Sequence, residues 1–523
     1  MKNFLRLSFI LGCLLAVSCG GHEEPLPEEA DAPVLLSTNP ENGATGFVES
    51  SLPVVFHFDQ NIRCTTEAQR GISIDGGAAV EKVSAYATDL TVEVSGLKRG
   101  VTYTLKLPAG TIQGYRSNQK ASEALSFSFS TKPADVDADP FDTGVDPASW
   151  EKASAAVLSM GVGWNLGNTL DSHSNFIDDM WIELRPNLTT VDYETAWGQP
   201  VATRELIHMF KEAGFGAIRV PVTWFPHIGT VIVERRKGDD GRERGYWDKS
   251  TWTGYDVDPA WMARVKEVVE YVLREGMYCI LNVHHDTGAD NTAWLSADEQ
   301  VYESVRERYC ELWKQIATEF EPYGHRLVFE SFNEMLDTND TWNHSTPEAH
   351  EVINKYNADF VSTVRATGGK NSHRNLILNT YAASTDVEAL TAFRLPEDPA
   401  QGRLMAEVHS YAPYNFAFDT QWPKETFDAS CEAEVKGIID NLNKYLVSKG
   451  IPCVLGEFGA TSVRADSEIA KQAACYVSNA VKYNIPCFYW MKLSDGADRT
   501  VPKWTKPSLK DAVLKAYYDN LSH

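Results

Sequence analysis

From Trp150 onward, short apolar runs rich in β-branched residues alternate with amphipathic stretches, and the runs number eight. They are Gly161–Asn168, Gly216–Trp224, Tyr278–Asp286, Arg326–Glu334, Asn375–Ala382, Arg403–Tyr411, Pro452–Gly459 and Ile485–Lys492. Runs of this length bounded by turn residues read as parallel strands buried on both faces. The intervening stretches, such as RELIHMFKEAG, WMARVKEVVEYVLREG and EVKGIIDNLNKYLVSKG, have helical spacing and end in Gly, as helices do. The connection Ser384 to Phe393 is the least helical of them. Eight β–α units over roughly 370 residues predict an α/β fold of the (β/α)8 TIM-barrel type with extended loops. An open doubly wound sheet would usually carry a phosphate-binding glycine fingerprint after its first strand, and GVGWNLGN lacks that spacing.

Two of the runs, RLVFESFNE and PCVLGEFG, carry a glutamate at their ends, Glu334 and Glu457. A carboxylate where a buried strand emerges costs desolvation energy unless something uses it. In such a barrel the functional groups gather at the C-terminal ends of the strands. Those ends offer Asn165, Asn168, Arg219, Trp224, His284, His285, Asp286, Asn333, Glu334, Tyr381, His409, Tyr411, Glu457 and Trp490. Core packing would supply Val, Ile and Leu instead. Aromatics that stack on sugar faces, with amides, imidazoles and carboxylates that bind hydroxyls, describe a carbohydrate site. Trp224 reads as core packing and Trp490 as a stacking floor. His284, His285 and Asp286 have a rival meaning as metal ligands, with His409 and Glu457 available to join them. Consecutive strand residues point to opposite sides, however, so His284 and His285 are not expected to share one ion. No metal and no cofactor are expected.

The flanks set the context. Residues 1–19 have a basic start (Lys2, Arg6), an apolar stretch and then Ser18-Cys19-Gly20, which reads as a secretory signal too short to span a membrane. The residues before Cys19 resemble a bacterial lipobox, implying cleavage there and lipidation of the Cys19 sulfur; an ordinary signal with a chance cysteine is the alternative. Residues 20–32 form an acidic, Pro-containing tether. Acidic residues soon after a lipidated cysteine resemble the surface-export signals of Bacteroides-type lipoproteins. The expected location is therefore the outer membrane, reached by a lipid anchor, on the cell surface. Residues 33–132 change to short alternating runs (Leu52–Phe58, Leu90–Val94, Thr102–Leu107, Leu125–Ser130) separated by Gly/Asn turns, which predicts a small antiparallel sandwich. This segment resembles bacterial Ig-like domains and offers no catalytic constellation, so it reads as a spacer. Residues 133–147, PADVDADPFDTGVDP, read as an acidic linker to a domain spanning 148–523. A net charge of −24 excludes nucleic acid or an anionic membrane surface as partner and suits a neutral ligand. Setting aside Cys13 and Cys19, the remaining cysteines are scattered and do not form a disulfide framework. The long connection from Gly229 to Pro259, with Tyr246, Trp247, Trp252 and Tyr255, predicts a hairpin along a cleft wall or over the barrel rim.

The segments GWNLGNTLD, ETAWGQP, AIRVPVTW, ILNVHHD, ESFNE, EVHSY, LGEFG and YWM, in this order, resemble glycoside hydrolase family 5 of clan A over the whole region from Trp150. The opening and the AWG segment most resemble subfamily 4, although Gln199 stands where the family often has Asn. The resemblance implies a retaining endo-β-1,4-glucanase acting as a monomer on cellulose-like glucan, mixed-linkage glucan or xyloglucan. It makes Glu334 the acid/base and Glu457 the nucleophile. Asn165, Arg219, His284, His285, Asn333, His409, Tyr411 and Trp490 are expected to bind substrate around them, with Arg219 and Tyr411 also donating to the Glu457 carboxylate and favouring its ionised form. An endo-β-mannanase and a non-catalytic glycan-binding lipoprotein on the same scaffold are the alternatives.

Overall fold

The computed structural model describes residues 31–47, 51–98, 100–115, 122–131, 137–174, 182–185, 187–237, 241–491 and 496–521. Cys19 with the signal, most of the tether, and Lys492 at the end of the eighth run lie outside them. The chain divides into two compact units between Val136 and Asp137.

The first unit is a sandwich of two four-stranded sheets. One holds Leu35–Asn39, Ser51–Phe58, Asp89–Ser95 and Ala79–Tyr86 in that spatial order; the other holds Ala44–Phe47, Leu125–Thr131, Thr102–Leu107 and Ser73–Ile74. The period-two pattern does the sorting: Leu90, Val92 and Val94 from one sheet meet Tyr103, Leu105, Phe127 and Phe129 from the other in a buried core. Pairing is antiparallel except between Ala44–Phe47 and Leu125–Thr131, which run parallel.

The second unit is a closed barrel of eight parallel strands. They are β1 Val162–Asn165, β2 Ala217–Val220, β3 Tyr278–Asn282, β4 Leu327–Glu330, β5 Leu376–Asn379, β6 Leu404–Ser410, β7 Cys453–Phe458 and β8 Cys487–Trp490. Each lies inside one of the eight predicted runs, and the rest of each run forms the loop that follows. Helices α1 Arg204–Ala213, α2 Pro259–Arg274, α3 Glu299–Glu319, α4 Pro347–Ala366, α5 Val387–Ala392, α6 Ala429–Tyr445, α7 Asp466–Ala480 and α8 Pro507–Tyr518 complete the units. Their boundaries follow from local chemistry. The α1 helix starts where the Thr203 hydroxyl accepts from Leu206 N and stops at Gly214, which is left-handed at φ 107°. The fifth helix, the least helical in sequence, is also the shortest of the eight at 6 residues.

Inside the barrel the side chains are layered. Near the floor, Ala217, Ile280, Val328, Ile377, Met405, Val454 and Phe488 pack on Ala153, Ala156, Val157 and Met160 of a short helix. Two residues further along most of these strands the layer turns polar: Arg219, Asn282, Glu330, Asn379 and Glu407, joined by Asn165 of β1, all with 0% exposure. This polar layer supports the site above it.

Part of the predicted linker belongs to the barrel unit. Asp137 pairs with Arg204, the amide of Ala138 donates to the Arg274 carbonyl (2.8 Å), and Asp142 accepts from the backbone and Nδ1 of His325 (2.7 and 2.6 Å). An acidic composition suggested solvation, but these acids have cationic and N–H partners on the barrel. The long second connection is a hairpin, Ile228–Lys237 with Glu243–Val257. Its Trp247 and Trp252 are buried against Phe225, at ring distances of 5.3 and 4.9 Å, so they cover the rim, while Tyr246 stays exposed.

Candidate active site

Arg219 organises the centre. It is fully buried, and all five of its N–H donors have partners. Nε and one Nη hold Glu330 through two 2.7 Å bonds; the remaining Nη donors reach Asn165 (3.0 Å), Glu457 (2.7 Å) and Asn333 (2.9 Å). No donor is left for a sugar. Arg219 is therefore a positioning residue, which corrects its reading as a substrate ligand. The same correction applies to Asn165. Its amide donates to the Gly456 carbonyl at 2.8 Å and its carbonyl accepts from Arg219, so it braces the arginine beneath the site.

Glu457 stands at the top of this layer through a break in the strand. The β6–β7 register shifts between Val408 and His409, so that His409 lies opposite Glu457. Val454 faces inward, and strict alternation would send Gly456 inward and Glu457 out. The bulge turns Glu457 to the centre instead. Gly456 is required there, because a Cβ would collide with Oε1 of Glu407. Glu457 receives Arg219 on Oε1 and the Tyr411 hydroxyl on Oε2, both at 2.7 Å. Burial pushes its carboxyl above the ordinary range; His409 and Arg219 pull the other way, Glu334 adds to the rise, and Tyr411 also favours the ionised form.

Glu334 lies just beyond β4, where its Oε1 accepts from His409 Nδ1 at 2.7 Å, leaving Oε2 for an incoming group. His409 Nε2 reaches Glu407 at 3.2 Å. Burial alone would lower His409, but Glu457, Glu334 and Glu407 outweigh it and hold the imidazolium up to about 10. Glu407 is pushed up to about 8 by burial, with Glu330 adding to the effect. Glu330 is held below the ordinary range: burial opposes this, and the Arg219 charge and hydrogen bonds win. A carboxylate oxygen of Glu334, a ring nitrogen of His409 and a carboxylate oxygen of Glu457 all lie within 4.8 Å of one another. Nearest atoms this close fit the short carboxyl spacing of a retaining pair, about 5–5.5 Å, in which one carboxylate attacks directly.

Of the other predicted residues, His284, Asn333 and Trp490 line the same cup, whereas His285 and Trp224 do not. His284 takes the Asn282 amide on Nδ1 (3.0 Å), which leaves Nε2–H facing Glu457 at 4.0 Å. Burial, then the neighbouring His285, keeps His284 neutral. Trp490 stacks on His284 at 5.6 Å and 10°, and its indole lies on Gly167, where a Cβ would sit 2.6 Å from the ring. Asn333 is fixed through its carbonyl by Arg219, which turns its NH2 into a directed donor. Trp224 is fully buried, and its indole donates to the Asn282 carbonyl at 3.0 Å, as core packing requires. His285 does not face Glu334 or Glu457; its Nδ1 is bound to Asp290 at 2.7 Å. The imidazoles of His284 and His285 do not point apart as alternation suggested. The strand ends at Asn282, and the two rings meet edge to face at 4.5 Å. Glu330, Glu407, Asn282 and Asn379 went unread, although each lies two residues past an inward apolar residue of its own strand.

Residues 182–495 match the family model described as cellulase (glycosyl hydrolase family 5). The chain belongs to glycoside hydrolase family 5. Residues 29–131 match the bacterial Ig-like domain model. Endoglucanase A of Clostridium longisporum is 34% identical over 390 residues, covering 71% of this chain and 67% of the relative. Endoglucanase B of Ruminococcus albus is 33% identical, covering 72% and 83%. Among solved structures, a family 5 enzyme of Prevotella bryantii, in complex with a xyloglucan tetradecasaccharide, superposes with a TM-score of 0.60 at 37% identity, covering 70% of this chain and 99% of that one. A subfamily 4 broad-specificity endoglucanase of Ruminococcus champanellensis with bound cellotriose gives 0.60 at 36% identity, covering 70% and 99%. In the family 5 barrel of this chain, the sequence segments that carried the resemblance bear on the cup around Glu334 and Glu457, except ETAWGQP, whose Trp197 lies against His173 and His285 and whose Glu194 binds Arg264.

Proposed function

We propose that this chain is a retaining endo-β-1,4-glucanase that cuts plant cell-wall β-glucans, with Glu457 as nucleophile and Glu334 as acid/base. The observation that carries this reading is the close approach of the two carboxylates around His409. Glu334 protonates the glycosidic oxygen as Glu457 attacks the anomeric carbon, so the C–O bond to the leaving chain breaks and a glycosyl ester forms. Glu334, now a base, takes a proton from water as that water attacks the same carbon and frees Glu457. Arg219 and Tyr411 hold the nucleophile ionised and aimed. The Asn333 NH2 meets the sugar 2-hydroxyl, a contact that strengthens in the transition state. Trp490 provides a floor for a sugar ring.

Cleavage inside a polymer needs platforms beyond one sugar. Tyr414, Phe418 and Trp422 are exposed in the connection after β6, and Phe418 packs 4.7 Å from Tyr411. The relatives solved with xyloglucan and cellotriose support β-glucans, branched ones included, as the substrate class. Initial-rate assays on barley β-glucan, xyloglucan, carboxymethylcellulose and glucomannan, with proton NMR of the first product, test the reading. Reducing ends should appear on the glucans as the β anomer. An α anomer formed first, or turnover confined to glucomannan, would overturn it.

The same reading extends to location: an enzyme tethered to the outer membrane through a lipid on Cys19, displayed on the surface. Residues 1–19 and the acidic segment after them support it. Palmitate labelling that persists in Cys19→Ser would refute the anchor.

A further inference from the structure

His173, in the loop after β1, is fully buried and takes no part in the chemistry above. Its Nδ1 lies 2.6 Å from the carbonyl oxygen of Ser174. A carbonyl only accepts, so the ring proton is on Nδ1 and Nε2 carries a lone pair. Among the described residues, that buried Nε2 has no hydrogen-bond partner. It faces Oδ1 of Asp290, in the loop after β3, across 4.0 Å. A lone pair on a buried ring and a carboxylate oxygen aimed at each other repel, unless a positive centre or a proton donor sits between them. The other oxygen of Asp290 is 2.7 Å from Nδ1 of His285. One ligand atom from each of His173, His285 and Asp290 lies within 4.8 Å of the others.

We propose that His173, His285 and Asp290 bind a divalent ion of the zinc type, clamping the loop after β1 to the loop after β3. Two imidazoles and a carboxylate are the donor set such ions prefer, and they leave a fourth position for water. Ligands on one tetrahedral zinc sit about 3.4 Å apart, so the 4.0 Å gap closes with a small rotation of Asp290. The supporting contacts are already built. The Ser174 carbonyl holds the His173 ring, and the Trp197 indole donates to the His173 carbonyl at 2.8 Å. His285 would bind through Nδ1, releasing that proton to solvent, while its Nε2–H faces the Asp171 carboxylate at 3.9 Å. Asp171 is itself held by the amides of Asn168 (2.9 Å) and Thr169 (2.6 Å). The route in runs past Asp290, whose side chain is 27% exposed and borders a cavity of about 530 Å³ beside the hairpin. The ion is structural. It reaches the reaction only through His285, which packs against His284.

Calorimetry with zinc chloride on the chelator-stripped full chain tests this. The expected result is one ion per chain at micromolar affinity, weakened at least about tenfold in His173→Gln and in Asp290→Asn. Zinc should raise the melting temperature of the wild type and leave both variants unmoved. Circular dichroism without metal establishes that the variants fold. Zinc-edge absorption on the unaltered chain should show two imidazoles and an oxygen ligand, a readout independent of any substitution. Affinity weaker than about 1 mM overturns the proposal. So does binding unchanged in His173→Gln, as does binding lost instead in Glu334→Gln, which would place the ion on Glu334, His409 and Glu457.

Discussion

Arg219 holds Glu330 through two 2.7 Å hydrogen bonds and Glu457 through a third, so the nucleophile is braced from below by a carboxylate that never meets substrate. Glu330 takes two of the five donors of a fully buried guanidinium, and without its charge those donors and part of the arginine's charge would go uncompensated. The arrangement separates two jobs that the strand ends leave merged: binding sugar, and fixing the group that attacks it.

Glu330→Gln should therefore be costly in two ways. Removing the charge from one partner of a buried pair destabilises by about 3–5 kcal/mol, read as a lower urea midpoint. The turnover number should fall while KM changes little, because Arg219 loses its fixed direction toward Glu457. A variant with wild-type stability and a large rise in KM would instead make Glu330 a substrate ligand.

The acid limb of kcat/KM reports ionisation of Glu457. Burial raises its pKa, so activity should fall on acidification at a higher pH than an ordinary glutamate would give. Tyr411→Phe removes a hydrogen bond that favours the ionised form. The limb should then move to still higher pH, with kcat/KM lowered about 10-fold or more at neutral pH. A limb that moves to lower pH would contradict the nucleophile's assignment.

Truncations test the boundary between the units. A chain starting at Asp137 should keep the turnover of the full protein on soluble glucan, since the Ig-like unit is read as a spacer. A chain starting at Asp146 loses Asp137 and Asp142 and strands Arg204 and His325 without those partners. Its melting temperature should drop, with kcat retained below the transition. Equal melting temperatures would show that the segment 137–145 is the linker its composition suggested.

The barrel was legible because its runs are apolar and punctuated, and the two glutamates because charges at buried strand ends have few innocent uses. The polar layer was harder to see. Glu330 and Glu407 sit in the middle of their runs, and reading only the ends passes over them, although counting two residues on from Val328 or Met405 would have found both. The inward turn of Glu457 depends on a bulge, and the meeting of His284 with His285 depends on β3 stopping at Asn282. Both are breaks in alternation, set by contacts across the barrel rather than by residues along the strand. Asn165 was expected to bind sugar and instead braces the arginine; Arg219 does donate to Glu457 as expected but has no donor to spare for sugar, because a residue type shows what it can donate and not which donors are already spent.

The roles of Glu334 and Glu457 are separated most directly by azide rescue. Glu334→Ala, given an aryl cello-oligosaccharide whose leaving group scarcely needs a proton, should form the glycosyl-enzyme and then stall. Azide needs no general base, so it should restore turnover and yield the β-glycosyl azide, identified by proton NMR. If Glu334→Ala gives no β-azide while Glu457→Ala with azide gives the α-azide of a direct displacement, Glu457 keeps its role and Glu334 loses its own. An α-azide from Glu334→Ala itself would mean that Glu457 forms no covalent intermediate, which contradicts the account at its centre.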